Sequence, residues 1–235
     1  MDASTLFWLV IPGLATGVGG LGLVVVRRPG PRLIDTLLGA TAGIMLAAAV
    51  FSLLVPALED GSVWEVVAGF LVGAGVLAVL DATIPHVHAR LRERPVRSEE
   101  HRSVLMLSAL TIHNIPEGLA VGVAFAAGGP ELGIPIAVAI GIQNTPEGFA
   151  AAAPLRAAGG SMGTAIGFAV ATGLVEPPAA LLGYAVAESV GVLLPLALSF
   201  AAGAMVYVVV DEIVPESHGR GNERDATGGF VGASP

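Results

Sequence analysis

An all-α bundle of seven membrane-spanning helices is the fold class that this 235-residue sequence predicts. Hydrophobic residues make up 54% of the chain and charged residues only 13%, with a mean hydropathy of +0.80. That is far more apolar side chain than one water-soluble core of this length needs. The apolar runs also exceed the roughly 18 residues required to cross hydrocarbon. Finally, all eleven basic residues are arginine, and a seven-span arrangement places every one of them on the same side.

The spans fall at about 5–26, 33–58, 63–81, 103–127, 132–155, 162–187 and 190–213, within a single transmembrane domain covering 1–235. Their Gly, Ala and Ser content suits close helix packing in lipid. Span one is followed, not preceded, by Arg27 and Arg28, so it reads as a retained helix and not as a cleaved signal peptide. Span two is bounded by Arg32 and by Glu59-Asp60, and span three begins near Glu65. The only sizeable loop, 82–102, joins spans three and four; it holds Arg90, Arg92, Arg94, Arg97 and Arg102 together with His86, His88 and His101. Pro85-His86-Val87-His88 offers two imidazoles without a complete ligand set, so a solvated basic loop is the favoured reading over a metal-collecting one. Spans four and five are joined by a short loop and run antiparallel. Arg156 follows span five, and span six carries Glu176 near its middle. Span seven ends before a tail, 214–235, that holds Arg220 and Arg224.

The arginine side is expected to be cytoplasmic. The opposite loops carry Glu59, Asp60, Glu65, Glu131 and Glu188 without any basic residue, which places the N-terminus outside and the C-terminus inside. The absence of Cys excludes disulfides and thiolate metal sites. The expected location is the inner membrane of a bacterium, with the bilayer as partner and no nucleic acid.

Two near-identical hexamers carry the chemistry: His113-Asn114-Ile115-Pro116-Glu117-Gly118 and Gln143-Asn144-Thr145-Pro146-Glu147-Gly148. A carboxylate near a bilayer centre costs on the order of 2.5–3.5 kcal/mol, so an intramembrane acid points to ion or proton handling. Helical spacing sets Glu117 between His113 on one flank and Asn114 on the other, and sets Glu147 between Gln143 and Asn144. Both motifs lie near mid-span and can face each other at one depth. Pro116 and Pro146 remove a backbone donor and are expected to free the carbonyls of Ile112 and Ile142. A packing kink with Gly118 and Gly148 as contact points is the blander alternative. Glu176-Pro177-Pro178 adds a third acid beside helix-breaking prolines. The candidate metal ligands are therefore His113, Asn114, Glu117, Gln143, Asn144, Glu147 and Glu176. One imidazole, three carboxylates and three amides favour Zn²⁺, Fe²⁺, Mn²⁺ or Cd²⁺ over Cu⁺.

These motifs, with Glu176 in span six, resemble the signature of the ZIP (Zrt/Irt-like) family of divalent metal transporters. Pro85-His86-Val87-His88 and Asp211-Glu-Ile-Val-Pro-Glu-Ser-His218 are similar to its bacterial GufA-type branch, so the likeness covers nearly the whole chain. The resemblance implies metal uptake into the cytoplasm by a homodimer, with metal as cargo and no cofactor. It implies a binuclear centre in which His113, Glu117, Gln143 and Glu147 form one subsite. Asn114, Asn144 and Glu176 form the other, bridged by Glu117 and Glu147. It further implies an elevator-like motion and an inverted repeat pairing the first three spans with the last three. Where many relatives open the fifth-span motif with His and an acid, this chain has neutral Gln143 and Asn144, which should weaken the second subsite. Relatives usually have eight spans; the residues after span seven are too short to cross, so the eighth helix is expected to be missing.

Asp211, Glu212, Glu216 and His218 gather at the cytoplasmic end of span seven, either as a receiving site for departing metal or as a solvated helix end. Asp35, Asp81, Glu59 and Glu65 sit at span ends and read as interfacial, with Asp35 the deepest. Two rival functions are a proton-coupled antiporter or channel using the three glutamates as a relay, and a membrane-embedded zinc hydrolase. The hydrolase lacks support, because His-Glu-x-x-His is absent and only His113 lies within a span. An enzyme is not expected.

Overall fold

A computed structural model describes residues 1–27, 29–83, 99–157, 159–189 and 194–233, with the side chains of 99–110 excepted. The described residues are helical throughout apart from turns. Helix α1 spans Ala3–Val25, α2 Pro31–Asp60 and α3 Val63–Thr83. One long helical stretch, Glu99–Ala157, is two spans separated by non-helical backbone at Gly128 and Gly129, giving α4 (99–127) and α5 (130–157). Gly129 adopts φ 60°, a left-handed conformation that a side chain would strain, and Pro130 then opens α5. Helix α6, Met162–Ser189, breaks after Gly173 into α6a (Met162–Gly173) and α6b (Glu176–Ser189). Helix α7 is Leu194–His218 and α8 is Glu223–Ala233. The seven-span expectation therefore holds, with each span close to its expected place. The tail expected from 214 onward is largely helical, since α7 runs on to His218. At about 1.5 Å per residue the 11-residue α8 reaches only half of a ~30 Å core, enough to pack but not to cross.

Local sequence explains the helix starts. Asp2 caps α1 by accepting the Thr5 N–H at 2.7 Å, and Ser161 caps α6a by accepting the Thr164 N–H at 3.0 Å. Ser62 and Glu65 form a reciprocal capping box at α3, so Glu65 is spent on helix initiation. Pro177 and Pro178 sit in the first turn of α6b, where no helical N–H is needed.

Two helices contain a widened turn, Ala48–Leu54 in α2 and Val209–Ile213 in α7, and each is followed at once by Val-Pro (Val55-Pro56 and Val214-Pro215). Proline clashes with the carbonyl four residues back, and a five-residue turn relieves that clash without breaking the helix. The same device thus recurs in α2 and α7.

Packing sorts the helices into two groups. One comprises α1, α4, α5 and α6; the other comprises α2, α3, α7 and α8; α4 and α5 join them by touching α2 and α7. Glycine sets the close crossings in both groups. A Cβ on Gly148 of α5 would collide with the Thr16 carbonyl of α1, and one on Gly19 of α1 would collide with the Thr145 carbonyl of α5. Reciprocal contacts of the same kind join Gly73 and Gly203 across α3 and α7. Because both obstacles at the α1–α5 crossing are backbone atoms, Gly148→Ala is expected to push the helices apart at a cost of about 1–3 kcal/mol. The thermal midpoint of the detergent-purified protein should fall by several degrees; an unchanged midpoint would show that this crossing is looser than described.

Between the groups lies an apolar layer that includes Leu9, Met45, Ile136, Ile140, Val121 and Met205, all almost fully buried. The lipid-facing sides of α1 and α3 are also apolar, with Phe7, Val18, Trp64, Leu71 and Val79 exposed, as a membrane-embedded surface requires.

Candidate metal centre

The paired motifs lie inside regular helix. Backbone angles stay helical through Pro116 and Pro146, so the prolines do not open α4 or α5 as expected of a broken helix. The break falls instead at Leu174-Val175, directly before Glu176. Glu176 is consequently the first residue of α6b, where the positive end of the helix dipole favours a carboxylate.

All seven expected ligands are buried: His113, Asn114 and Glu117 from α4, Gln143, Asn144 and Glu147 from α5, and Glu176 from α6b. Helical periodicity turns each trio inward, and the glycine contacts bring the helices close enough for the trios to meet. Gly118 of α4, for instance, presses on the Glu176 carbonyl.

Gln143 Nε2 donates to Glu117 Oε1 at 2.5 Å, and Asn144 Nδ2 donates to Glu176 Oε1 at 2.7 Å. Each amide of the fifth-span motif thus satisfies one oxygen of a carboxylate on a neighbouring helix. What remains is a set of buried oxygens that make no hydrogen bond among the described residues: Asn114 Oδ1, Glu117 Oε2, Gln143 Oε1, Asn144 Oδ1, both oxygens of Glu147, and Glu176 Oε2. Buried polar atoms are almost always paired, and leaving one unpaired costs about 1–3 kcal/mol, more when it is charged. Seven such oxygens in one region of a membrane protein are the kind of surroundings that a cation could satisfy. The charges of Glu117, Glu147 and Glu176 lie near enough to act on one another, as do those of His113 and Glu147. A dication would offset that repulsion. Counting imidazoles and carboxylates alone, no three among the described residues close on a single ion. The amide oxygens, or water, must complete any coordination shell.

Four groups that sequence reading did not assign to the site also reach it. Thr16 Oγ1 of α1 donates to Glu176 Oε1 at 3.2 Å, and the Pro12 carbonyl accepts from Asn144 Nδ2 at 2.9 Å. Thr41 Oγ1 of α2 donates to the Gln143 carbonyl at 3.3 Å. Glu212 Oε2 of α7 lies 2.9 Å from His113 Nδ1. A lone threonine in an apolar span carries no sequence signal, because threonine is equally at home there as a helix-packing residue.

Glu212, expected with Asp211, Glu216 and His218 either in a receiving site or at a solvated helix end, lies in the widened turn Val209–Ile213, which shifts the helical register, and it turns to His113. Glu216 pairs instead with Arg220. His218 is held by structure: Nδ1 lies 2.9 Å from Ser217 Oγ and 3.0 Å from the Val214 carbonyl, while Nε2 lies 3.1 Å from Thr227 Oγ1 of α8. Asp211 is exposed, so the proposed receiving cluster does not assemble as a unit. Asp35 is fully buried, accepting from Arg220 Nη1 at 2.6 Å and Asn222 Nδ2 at 2.8 Å. Asp81 accepts from the Tyr207 hydroxyl at 3.4 Å. His86 and His88 lie outside the described residues, as does the side chain of His101.

The family model described as ZIP Zinc transporter matches residues 83–227. The chain is 41% identical over 232 residues to the zinc transporter GufA of Myxococcus xanthus, an alignment covering 94% of this chain and 91% of that protein. It is 40% identical over 234 residues to the zinc transporter ZIPB of Bordetella bronchiseptica, covering 92% and 74% respectively. Over 254 residues it is 34% identical to the zinc transporter ZupT of Corynebacterium aurimucosum, covering 98% and 95%. A membrane bundle with a buried polar cluster on α4, α5 and α6, a matching family model, and relatives along nearly its whole length lead to one conclusion: this chain is a member of the ZIP family of metal transporters.

Proposed function

We propose that the protein moves divalent transition metal ions, Zn²⁺ foremost and Cd²⁺, Fe²⁺ or Mn²⁺ with it, across the inner membrane into the cytoplasm, using His113, Asn114, Glu117, Gln143, Asn144, Glu147 and Glu176. Membership in a transporter family sets the hydrolase reading aside. The observation that carries the proposal is the group of buried oxygens without hydrogen-bond partners on three helices. Their pairing supports two subsites, since Gln143 engages Glu117 whereas Asn144 engages Glu176. The division into two helix groups supports a rigid-body movement of α1, α4, α5 and α6 against α2, α3, α7 and α8; a homodimer is part of the same proposal. Ion pairs from Arg32 to Asp225 at 3.5 Å and from Arg220 to Asp35 gather arginines at one end of the bundle, which supports that end as cytoplasmic.

The test is uptake of Zn²⁺ and Cd²⁺ into proteoliposomes loaded with a metal-sensitive dye. Saturable uptake by the wild type is expected. Proton flux that proceeds without metal would overturn the proposal in favour of a glutamate relay. Acid should inhibit, because imidazole and carboxylate ligands bind metal only when deprotonated and protons compete for the same atoms. Zn²⁺ uptake at pH 5.5 is expected to be at least about threefold below that at pH 7.5. A flat profile over that range would count against an imidazole and carboxylate site.

A further inference from the structure

We propose that Thr16 of α1 is a specificity-determining residue, which positions Glu176 so that it offers a metal ion one oxygen and not two; this inference rests on the metal-site reading above. Glu176 Oε1 receives two hydrogen bonds, from Thr16 Oγ1 at 3.2 Å and from Asn144 Nδ2 at 2.7 Å. The same Asn144 nitrogen is anchored to the Pro12 carbonyl at 2.9 Å, so α1 holds both members of the pair. Glu176 Oε2 and Asn144 Oδ1 make no hydrogen bond among the described residues. One carboxylate oxygen is thereby occupied by the protein and the other is left for a ligand.

Thr16 has little freedom to give way. It is 2% exposed, its carbonyl presses on Gly148 of α5, and a Cβ on Gly173 of α6a would meet the Thr16 side chain. It stands where three helices cross, and its hydroxyl is aimed by packing.

The consequence concerns ion size. Zn²⁺ is served by four ligands, with oxygens at about 2.0–2.2 Å. Larger ions of higher coordination number take carboxylates through both oxygens, at about 2.3–2.6 Å in the case of Ca²⁺. A carboxylate held to one free oxygen favours the smaller ion. Removing the Thr16 hydroxyl leaves Glu176 Oε1 with Asn144 Nδ2 as its one remaining donor, which loosens the hold on that oxygen and makes binding through both oxygens easier, favouring Cd²⁺.

The test uses Thr16→Val, which keeps the branched shape and removes only the hydroxyl, with Thr16→Ala as a smaller second variant and Thr16→Ser as the rescue. Initial rates and KM for Zn²⁺ and Cd²⁺ are measured separately in dye-loaded proteoliposomes, with Glu117→Ala alongside. The Cd²⁺ to Zn²⁺ ratio of kcat/KM should rise about fivefold in the Val and Ala variants, the equivalent of one hydrogen bond, and return to the wild-type value in Thr16→Ser. An unchanged ratio overturns the proposal, and so does an equal loss for both ions, which would give Thr16 a packing role alone. If Glu117→Ala transports like the wild type, the metal-site reading falls instead.

Discussion

Glu117→Ala should lower Zn²⁺ uptake roughly 100-fold or more. Loss of a group that merely orients a metal ligand costs about 10–100-fold, and a direct ligand should lie at or above that range. Glu117 is fully buried, receives Gln143 through one oxygen and leaves the other without a hydrogen bond among the described residues, which on the two-subsite proposal makes it the bridging ligand. On the two-subsite proposal Glu176 serves one subsite, so Glu176→Gln should cost less, on the order of tenfold. Equal losses would argue against that division. Stability should move the other way. Removing one of three mutually repelling buried carboxylates relieves strain in the metal-free protein, so the thermal midpoint of Glu117→Ala should equal or exceed that of the wild type, while the stabilisation produced by added Zn²⁺ disappears. Measured on one preparation, the two readouts separate a lost ligand from a damaged fold.

Arg220→Met should destabilise the protein more than any other substitution of an arginine among the described residues. Arg220 joins Glu216, one turn back on α7, to the fully buried Asp35 of α2. Its loss leaves Asp35 with Asn222 as its remaining donor. Breaking a buried pair by removing one partner costs about 3–5 kcal/mol, and the partial exposure of Arg220 reduces this to roughly 2–3 kcal/mol. For a chain of this size that corresponds to a fall of about 5–10 °C in thermal midpoint. The double variant Arg220→Met with Asp35→Leu should recover much of the loss, because the cost lies in the uncompensated charge and not in the absence of the pair. No recovery would mean that the arginine acts through packing. The clamp also explains how α8 stays docked despite its length: Arg32 to Asp225, His218 to Thr227, and the close approaches of Gly39 and Gly229 act beside the Asp35 network.

The span count, the ligand trios and the antiparallel pairing of α4 and α5 were legible in the sequence because each depends on a local rule. Apolar length determines what crosses a bilayer, and helical spacing determines which side chains share a face. Glu176 was legible as a buried member of the polar cluster for the same reason that Glu117 and Glu147 were: a carboxylate in an apolar run needs a purpose. Its position at a helix start was not, because Pro116 and Pro146 carry the same local signal as Pro177 and Pro178. Whether a proline bends a helix or begins one depends on what the neighbouring helices can satisfy. The register of Glu212 was hidden for a related reason, since a widened turn ahead of Val214-Pro215 rotates the residues around it without leaving any mark in composition.

By itself, then, the sequence determined the solvent, the number of crossings and the seven polar residues that are buried together, all consequences of hydrophobicity and helical periodicity. Only tertiary structure decided which groups join them from elsewhere. Thr16 and the Pro12 carbonyl reach Glu176 and Asn144 because glycines let α1 lie against α5 and α6, and Asp35 is buried because Arg220 and Asn222, nearly 190 positions later, arrive to pair with it. Such contacts depend on the distance between backbones, which is set by packing in all three dimensions and leaves no period along the chain.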